Sequence, residues 1–160
     1  MILTGPEIKE NIHLGHINIS PFVDSFINPN TYNYRLDKFY KLLNDNKTYE
    51  IPETGLIILP NRLYLMNTYE IIGSRKYAML LNGRSSIGRL GIFVNADADL
   101  GHQGAQSKWT LEVSCVQPVK LYPLMKFGQV SFWEVEGEEF PYNGHYNNLD
   151  KPKHSKFSKI

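Results

Sequence analysis

Two short segments hold most of the side chains that can do chemistry. The run Gly83-Arg84-Ser85-Ser86-Ile87-Gly88-Arg89-Leu90-Gly91 supplies two hydroxyls and two guanidinium groups. The segment Trp109-Thr110-Leu111-Glu112-Val113-Ser114 supplies one carboxylate. A carboxylate fixed near an arginine and a hydroxyl can take a proton from a water while the neighbouring donors hold the charge that develops, which is general-base chemistry. Residues 85–90 break the surrounding strand pattern and read as one or two helical turns, so that Ser85 and Arg89, four apart, share a face. The free backbone N–H groups where that turn begins at Ser85 and Ser86, flanked by Arg84, suit a phosphate.

These groups need elements to position them. In residues 109–115 the alternation puts Trp109, Leu111, Val113 and Cys115 on one face and Thr110, Glu112 and Ser114 on the other, so Glu112 projects from a strand whose back is apolar. Other strands are expected over 32–36, 39–43, 56–59, 64–68, 69–72, 77–81, 92–95, 119–121 and 129–135, each rich in Ile, Val, Phe, Tyr or Leu and bounded by turn residues. Residues 6–14 read as a short helix with Thr4 as cap, Pro6 in the first turn, Ile8, Ile12 and Leu14 on the buried side, and Gly15 as the stop. Many short strands at close spacing imply a mainly β sandwich or barrel. Residues 1–150 are expected to form one domain, and the basic tail 151–160 is a solvated end or a candidate lid over phosphates.

The totals exclude several classes. With 17 basic and 16 acidic residues among 160, the net charge of +1 gives no field for non-specific nucleic-acid or membrane binding. No window approaches the roughly 20 apolar residues of a membrane span, and the N-terminus lacks the pattern of a leader, so a cytoplasmic protein is expected. Cys115 is the one cysteine, which leaves no internal disulfide and no cysteine-based zinc cluster. The zinc deaminase pattern needs His-x-Glu with Pro-Cys-x-x-Cys, which one cysteine cannot supply. Gly83-x-x-x-x-Gly88 imitates the start of a P-loop, but Arg89-Leu90 stands where Lys and Ser/Thr are required. His13 and His16 lack a third ligand, and His102 and His145 lie in Gly- and Asn-containing loops.

Read together, the segments resemble the dCTP deaminase branch of the dUTPase-like superfamily. Gly83 to Gly91 looks like the family's Arg-Ser-Ser-x-x-Arg signature, and Thr110-Leu111-Glu112 like the strand that bears its glutamate. Asn28-Pro29-Asn30-Thr31-Tyr32-Asn33-Tyr34-Arg35-Leu36, Pro123-Leu124-Met125-Lys126-Phe127-Gly128-Gln129 and Pro141-Tyr142 resemble further family segments. The resemblance implies a distorted jelly-roll-like β-barrel with a short N-terminal helix and a short helical turn carrying the signature. It also implies a homotrimer with active sites between subunits, and dCTP as substrate. By the same resemblance Glu112 is the base that activates water for attack on C4 of cytosine, while Ser85, Arg89 and the backbone carbonyl of Ala98 orient that water and stabilise the adduct. Arg84, Ser86, Thr110, His102, Tyr142 and His145 would contact nucleotide, with magnesium carried on the triphosphate and no zinc.

Departures from the family pattern bear on the product and the pocket. His102 stands where the resemblance places the aspartate that serves triphosphate cleavage, so dUTP is the expected product and direct cleavage to dUMP is disfavoured. Ala105 replaces a bulky aromatic, and Asn95 and Asp97 replace a His and a Thr. With Gly101, Ala105 is expected to leave room for a modified cytosine. His145 stands at the usual lysine and Leu149 near the usual glutamine. A dUTP diphosphatase, a bifunctional enzyme and a catalytically inactive pyrimidine-nucleotide-binding regulator remain as alternatives.

Overall fold

The computed structural model describes residues 1–43, 45–95 and 98–157, so the substitution at Asp97 and the last three tail positions lie outside the described residues. Helix α1 (Gly5–His13) is followed by β1 (Ile17–Ser20), β2 (Tyr32–Leu42), β3 (Tyr49–Glu50), β4 (Leu56–Ile58), β5 (Tyr64–Thr68), β6 (Ile71–Ser74) and β7 (Tyr77–Gly83). Then come α2 (Ser85–Gly88), β8 (Ile92–Val94), β9 (Leu100–Gly101), β10 (Gln106–Ser107), β11 (Thr110–Cys115), β12 (Val119–Leu121) and β13 (Lys126–Glu134). One sheet runs β8-β11-β5-β2-β13-β7-β9 with β3 added on β2, and smaller sheets run β1-β6-β10 and β12-β4. Every named pairing is antiparallel, and the long sheet curls around the core as the expected distorted barrel.

The helix and most expected strands are present, with instructive differences. Ile8 is buried and Ile12 packs on the core, but Leu14 is exposed, and Thr4 occupies the cap position without a side-chain capping bond. The segments expected at 32–36 and 39–43 are one strand: β2 pairs with β13 through residues 32–35 and with β5 from Leu36 onward, with a register shift between Leu36 and Tyr40. At this shift the side chain of Asp37 turns inward and is buried. Strand β6 starts at Ile71 rather than at Tyr69 because Tyr69 and Glu70 form a corner. The buried Glu70 carboxylate holds that corner by accepting from Arg35 N at 2.8 Å and Arg35 Nε at 2.6 Å.

Large side chains from the sheet fill the core, among them Tyr32, Tyr34, Leu36, Met66, Met79, Leu81, Phe127 and Phe132, all fully buried. Burying a side chain of this size contributes roughly 1.5–3 kcal/mol, so the sheet curls to cover one apolar face. The Tyr34 hydroxyl, buried with the ring, donates to the carbonyl of Asn82 at 3.0 Å. Asn95 bridges between β7 and β11: its Nδ2 donates to Leu81 O at 3.4 Å and its Oδ1 accepts from Glu112 N at 2.9 Å.

Candidate active site

Strand β11 alternates as its sequence dictates, with Leu111, Val113 and Cys115 buried and Glu112 exposed. The Glu112 side chain faces a cavity of about 510 Å³ whose floor includes Leu65, Ala98, Leu100, Ala105 and Trp109. Leu65 lies directly opposite Glu112 in the β5–β11 register. The C-terminal segment of the same chain adds Tyr142, Tyr146, Leu149, Lys153 and Phe157 to the lining, beside His102, Ser107 and Thr110. Among the described residues no ion pair involves the Glu112 carboxylate. It is an acceptor in a largely apolar cavity that Lys153 also lines.

The backbone of Glu112 is held on both sides by one residue. Asn95 N donates to Glu112 O at 3.0 Å, and Asn95 Oδ1 accepts from Glu112 N at 2.9 Å. Asn95 is buried and adopts a φ of +49°, a left-handed backbone that asparagine tolerates better than most residues. Just before β11, Trp109 N donates to Thr68 Oγ1 at 2.9 Å and the indole Nε1 donates to Ile72 O at 2.8 Å. Lys108 Nζ donates to the buried Asp37 carboxylate at 2.6 Å, which also accepts from Asn67 Nδ2 at 3.0 Å. The strand therefore enters the site pinned by Lys108 and Trp109, and its carboxylate is left free.

The C-terminal segment runs alongside residues 103–110 in the same direction. Tyr142 N donates to Gln103 O at 2.8 Å, Asn148 N to Gln106 O at 2.9 Å, Leu149 N to Ser107 Oγ at 2.8 Å and Lys153 N to Thr110 Oγ1 at 3.1 Å. Lys108 N returns a bond to Leu149 O at 2.9 Å. The anchored stretch thus begins before residue 150, where the sequence places the end of the domain.

A family model described as dCTP deaminase-like matches residues 2–135. The chain belongs to the dCTP deaminase-like family. It is 42% identical to a protein of Clostridium beijerinckii named "dCTP deaminase, dUMP-forming", over 92% of this chain and 91% of that relative. It is 39% identical to a protein of Rhodopirellula baltica named "dCTP deaminase", over 86% of this chain and 74% of the relative. The crystal structure of 2'-deoxycytidine 5'-triphosphate deaminase from Agrobacterium tumefaciens shares the fold, with a TM-score of 0.64 at 18% identity. That likeness covers 82% of this chain, which spans 47% of the longer Agrobacterium chain.

Of the residues singled out from the family signature, the structure gathers Glu112, Ala98, Thr110, His102 and Tyr142 around one cavity. Arg84, Ser85, Ser86 and Arg89 do not line it: they sit on and beside α2, with Ser85, Ser86 and Arg89 exposed. Arg89 follows Ser85 by one turn, as expected, and its N–H donates to Ser85 O at 3.0 Å. His145 is exposed and lines neither described cavity. The Thr110 hydroxyl accepts from the tail, and the His102 ring lies stacked on that of Tyr142.

The room expected at Gly101 is already taken, since a Cβ there would lie 3.0 Å from the Trp109 ring and 3.2 Å from Met79. Ala105 does line the cavity. Asn95 was legible only as a family departure, and nothing in the local sequence pattern marks it as the residue that clamps Glu112; an Asn able to adopt left-handed backbone is the one available signal.

Proposed function

We propose that this chain catalyses the hydrolytic deamination of dCTP, with Glu112 as the general base. The observation that carries the reading is the free Glu112 carboxylate, backbone-clamped on β11 and facing a cavity large enough for a nucleotide. The family membership and the names of the relatives point the same way. In this mechanism Glu112 takes a proton from a water as its oxygen bonds to C4 of cytosine. The proton is passed to N3, the hydroxyl proton of the adduct then passes through Glu112 to the amino group, the C4–N bond breaks as C4=O forms, and ammonia and the uracil nucleotide leave. Ala98 orients the water through its carbonyl, and Thr110 and Tyr142 lie along the nucleotide's path.

Ser85 and Arg89 complete the site from a neighbouring subunit of a homotrimer, where Arg84 and Ser86 hold the triphosphate. Support for this arrangement is that Ser85, Ser86 and Arg89 are exposed and, with Arg84, lie off the cavity of their own chain. Magnesium enters as the counter-ion of the triphosphate. A cytoplasmic location belongs to the same reading, and no helix of the described residues is long and apolar enough to cross a membrane.

The product turns on residue 102. An imidazole stacked on Tyr142 cannot do what a free carboxylate does for triphosphate cleavage, which favours dUTP. The Clostridium relative is named dUMP-forming, which favours a second reading in which cleavage to dUMP and pyrophosphate follows deamination. Mass spectrometry of the products from dCTP separates the two by pyrophosphate.

The test of the whole reading is Glu112→Gln. Ammonia release from dCTP should fall by about 10²-fold or more while the oligomer persists; wild-type-like release from this variant would refute the assignment. Mixing Glu112→Gln subunits with Arg89→Ala subunits should restore part of the activity, because some interfaces then combine an intact Arg89 with an intact Glu112. No recovery after subunit exchange would place both residues in one chain's site.

A further inference from the structure

The geometry points to His102 as a positioning residue that fastens the C-terminal segment across the Glu112 cavity. The inference rests on the reading of that cavity as the active site, but its first readout does not. The imidazole of His102 stacks on the ring of Tyr142, with centroids 5.6 Å apart and planes 17° from parallel. From there a series of clips runs along the tail. The Tyr142 hydroxyl accepts from Tyr146 N at 3.2 Å, and the Tyr146 hydroxyl accepts from Lys156 N at 2.8 Å. Between these clips Leu149 and Lys153 line the cavity, and Phe157 lines it just beyond. His102 and Tyr142 also line a second cavity, of about 580 Å³, so both residues border the two spaces.

The surrounding sequence is cut to this contact. Gly104 has a φ of +85°, and a Cβ there would lie 2.9 Å from Pro141 Cβ. A Cβ on Gly144 would collide with the Tyr142 ring, so that ring can fold back only over a glycine. Gln103, buried, donates through Nε2 to Arg75 O at 3.1 Å and so fixes the loop that carries His102. A flat ring at 102 suits this place because two offset aromatic faces attract; a carboxylate there has no face to stack, and its charge would meet the electron-rich face of Tyr142.

A tail fastened before nucleotide arrives spares the cost of ordering it on binding. Loss of the stack should therefore raise KM for dCTP and leave kcat nearly unchanged. One aromatic pair corresponds to a factor of about 2 to 10.

The experiment uses the full chain and its His102→Ala, His102→Asp and His102→Phe variants. Hydrogen exchange over residues 142–157 is measured without nucleotide, and KM and kcat are measured on dCTP. Ala and Asp should speed exchange of the segment and raise KM by about 2- to 10-fold, with kcat within about twofold of wild type, and Phe should restore both. Unchanged exchange in His102→Ala, or no restoration by Phe, overturns the assignment. A fall in kcat with unchanged exchange also overturns it and assigns His102 to the chemistry. A protein with no turnover of dCTP refutes the proposed function, and the exchange data then decide the latch alone.

Discussion

Asn95→Ala is the sharpest probe of how the site is built. The substitution removes the acceptor that Glu112 N meets at 2.9 Å and the donor that reaches Leu81 O at 3.4 Å. A main-chain donor left without a partner costs about 1–3 kcal/mol. Alanine at a φ of +49° adds about 1 kcal/mol that asparagine largely avoids. The sum, about 2–4 kcal/mol, should lower Tm by roughly 5–15 °C for a chain of this size. The same loss frees the Glu112 main chain on one side, and a displacement of about 1 Å at a catalytic group costs on the order of 10²-fold in rate.

Calorimetry and steady-state ammonia release on the same preparation read both effects. Asn95→Gly separates them, because glycine relieves the backbone strain without restoring the acceptor: it should recover part of the stability and little of kcat. If Asn95→Ala melts and turns over like wild type, the clamp does not position Glu112 and the argument fails.

Three further outcomes follow from burial and charge. Burial pushes the Tyr32 hydroxyl up to about 12 and that of Tyr34 higher still, while unfolded tyrosine titrates near 10. The folded state therefore binds more protons between these values, and stability should fall as pH rises above about 10, by about 1.4 kcal/mol per pH unit for each tyrosine; a tyrosinate absorbance that accounts for all ten tyrosines before the unfolding transition would contradict this. Burial also raises the Cys115 thiol above its usual range, so alkylation at neutral pH should track unfolding, and fast labelling of the native protein would show the thiol to be accessible. Lys108→Met leaves the buried Asp37 carboxylate without its cation and should destabilise the protein by about 3–5 kcal/mol in denaturant titration, against a negligible change if the pair is solvated.

The parts of the fold that were legible in the sequence are those written in local pattern. The alternation of β11 sends Glu112 outward and Leu111, Val113 and Cys115 inward, and the helical turn at Ser85 follows from the break in strand texture. Illegible were features that depend on distant partners. Asp37 meets Lys108 across 71 positions of chain, and nothing in either neighbourhood announces a buried ion pair. Strands β3, β9 and β10 are two residues long, too short for any period to register. The continuity of β2 was hidden because its middle residues, Asp37 and Lys38, read as a polar break, whereas the strand passes from one partner to another there.

The division of labour around Glu112 has a consequence for reading substitutions. Its strand is held through main-chain groups and through Asn95, Thr68 and Lys108, none of which presents its polar end as a free acceptor in the cavity. The side chains of Glu112, Ser85 and Arg89 carry no described hydrogen bond or ion pair, so their removal leaves the described fold's own bonds intact. Changes at these three should therefore separate activity from stability, losing turnover at nearly constant Tm. Changes at Asn95 or Lys108 should lose both together, because there the group that positions the carboxylate is also a group that closes the fold.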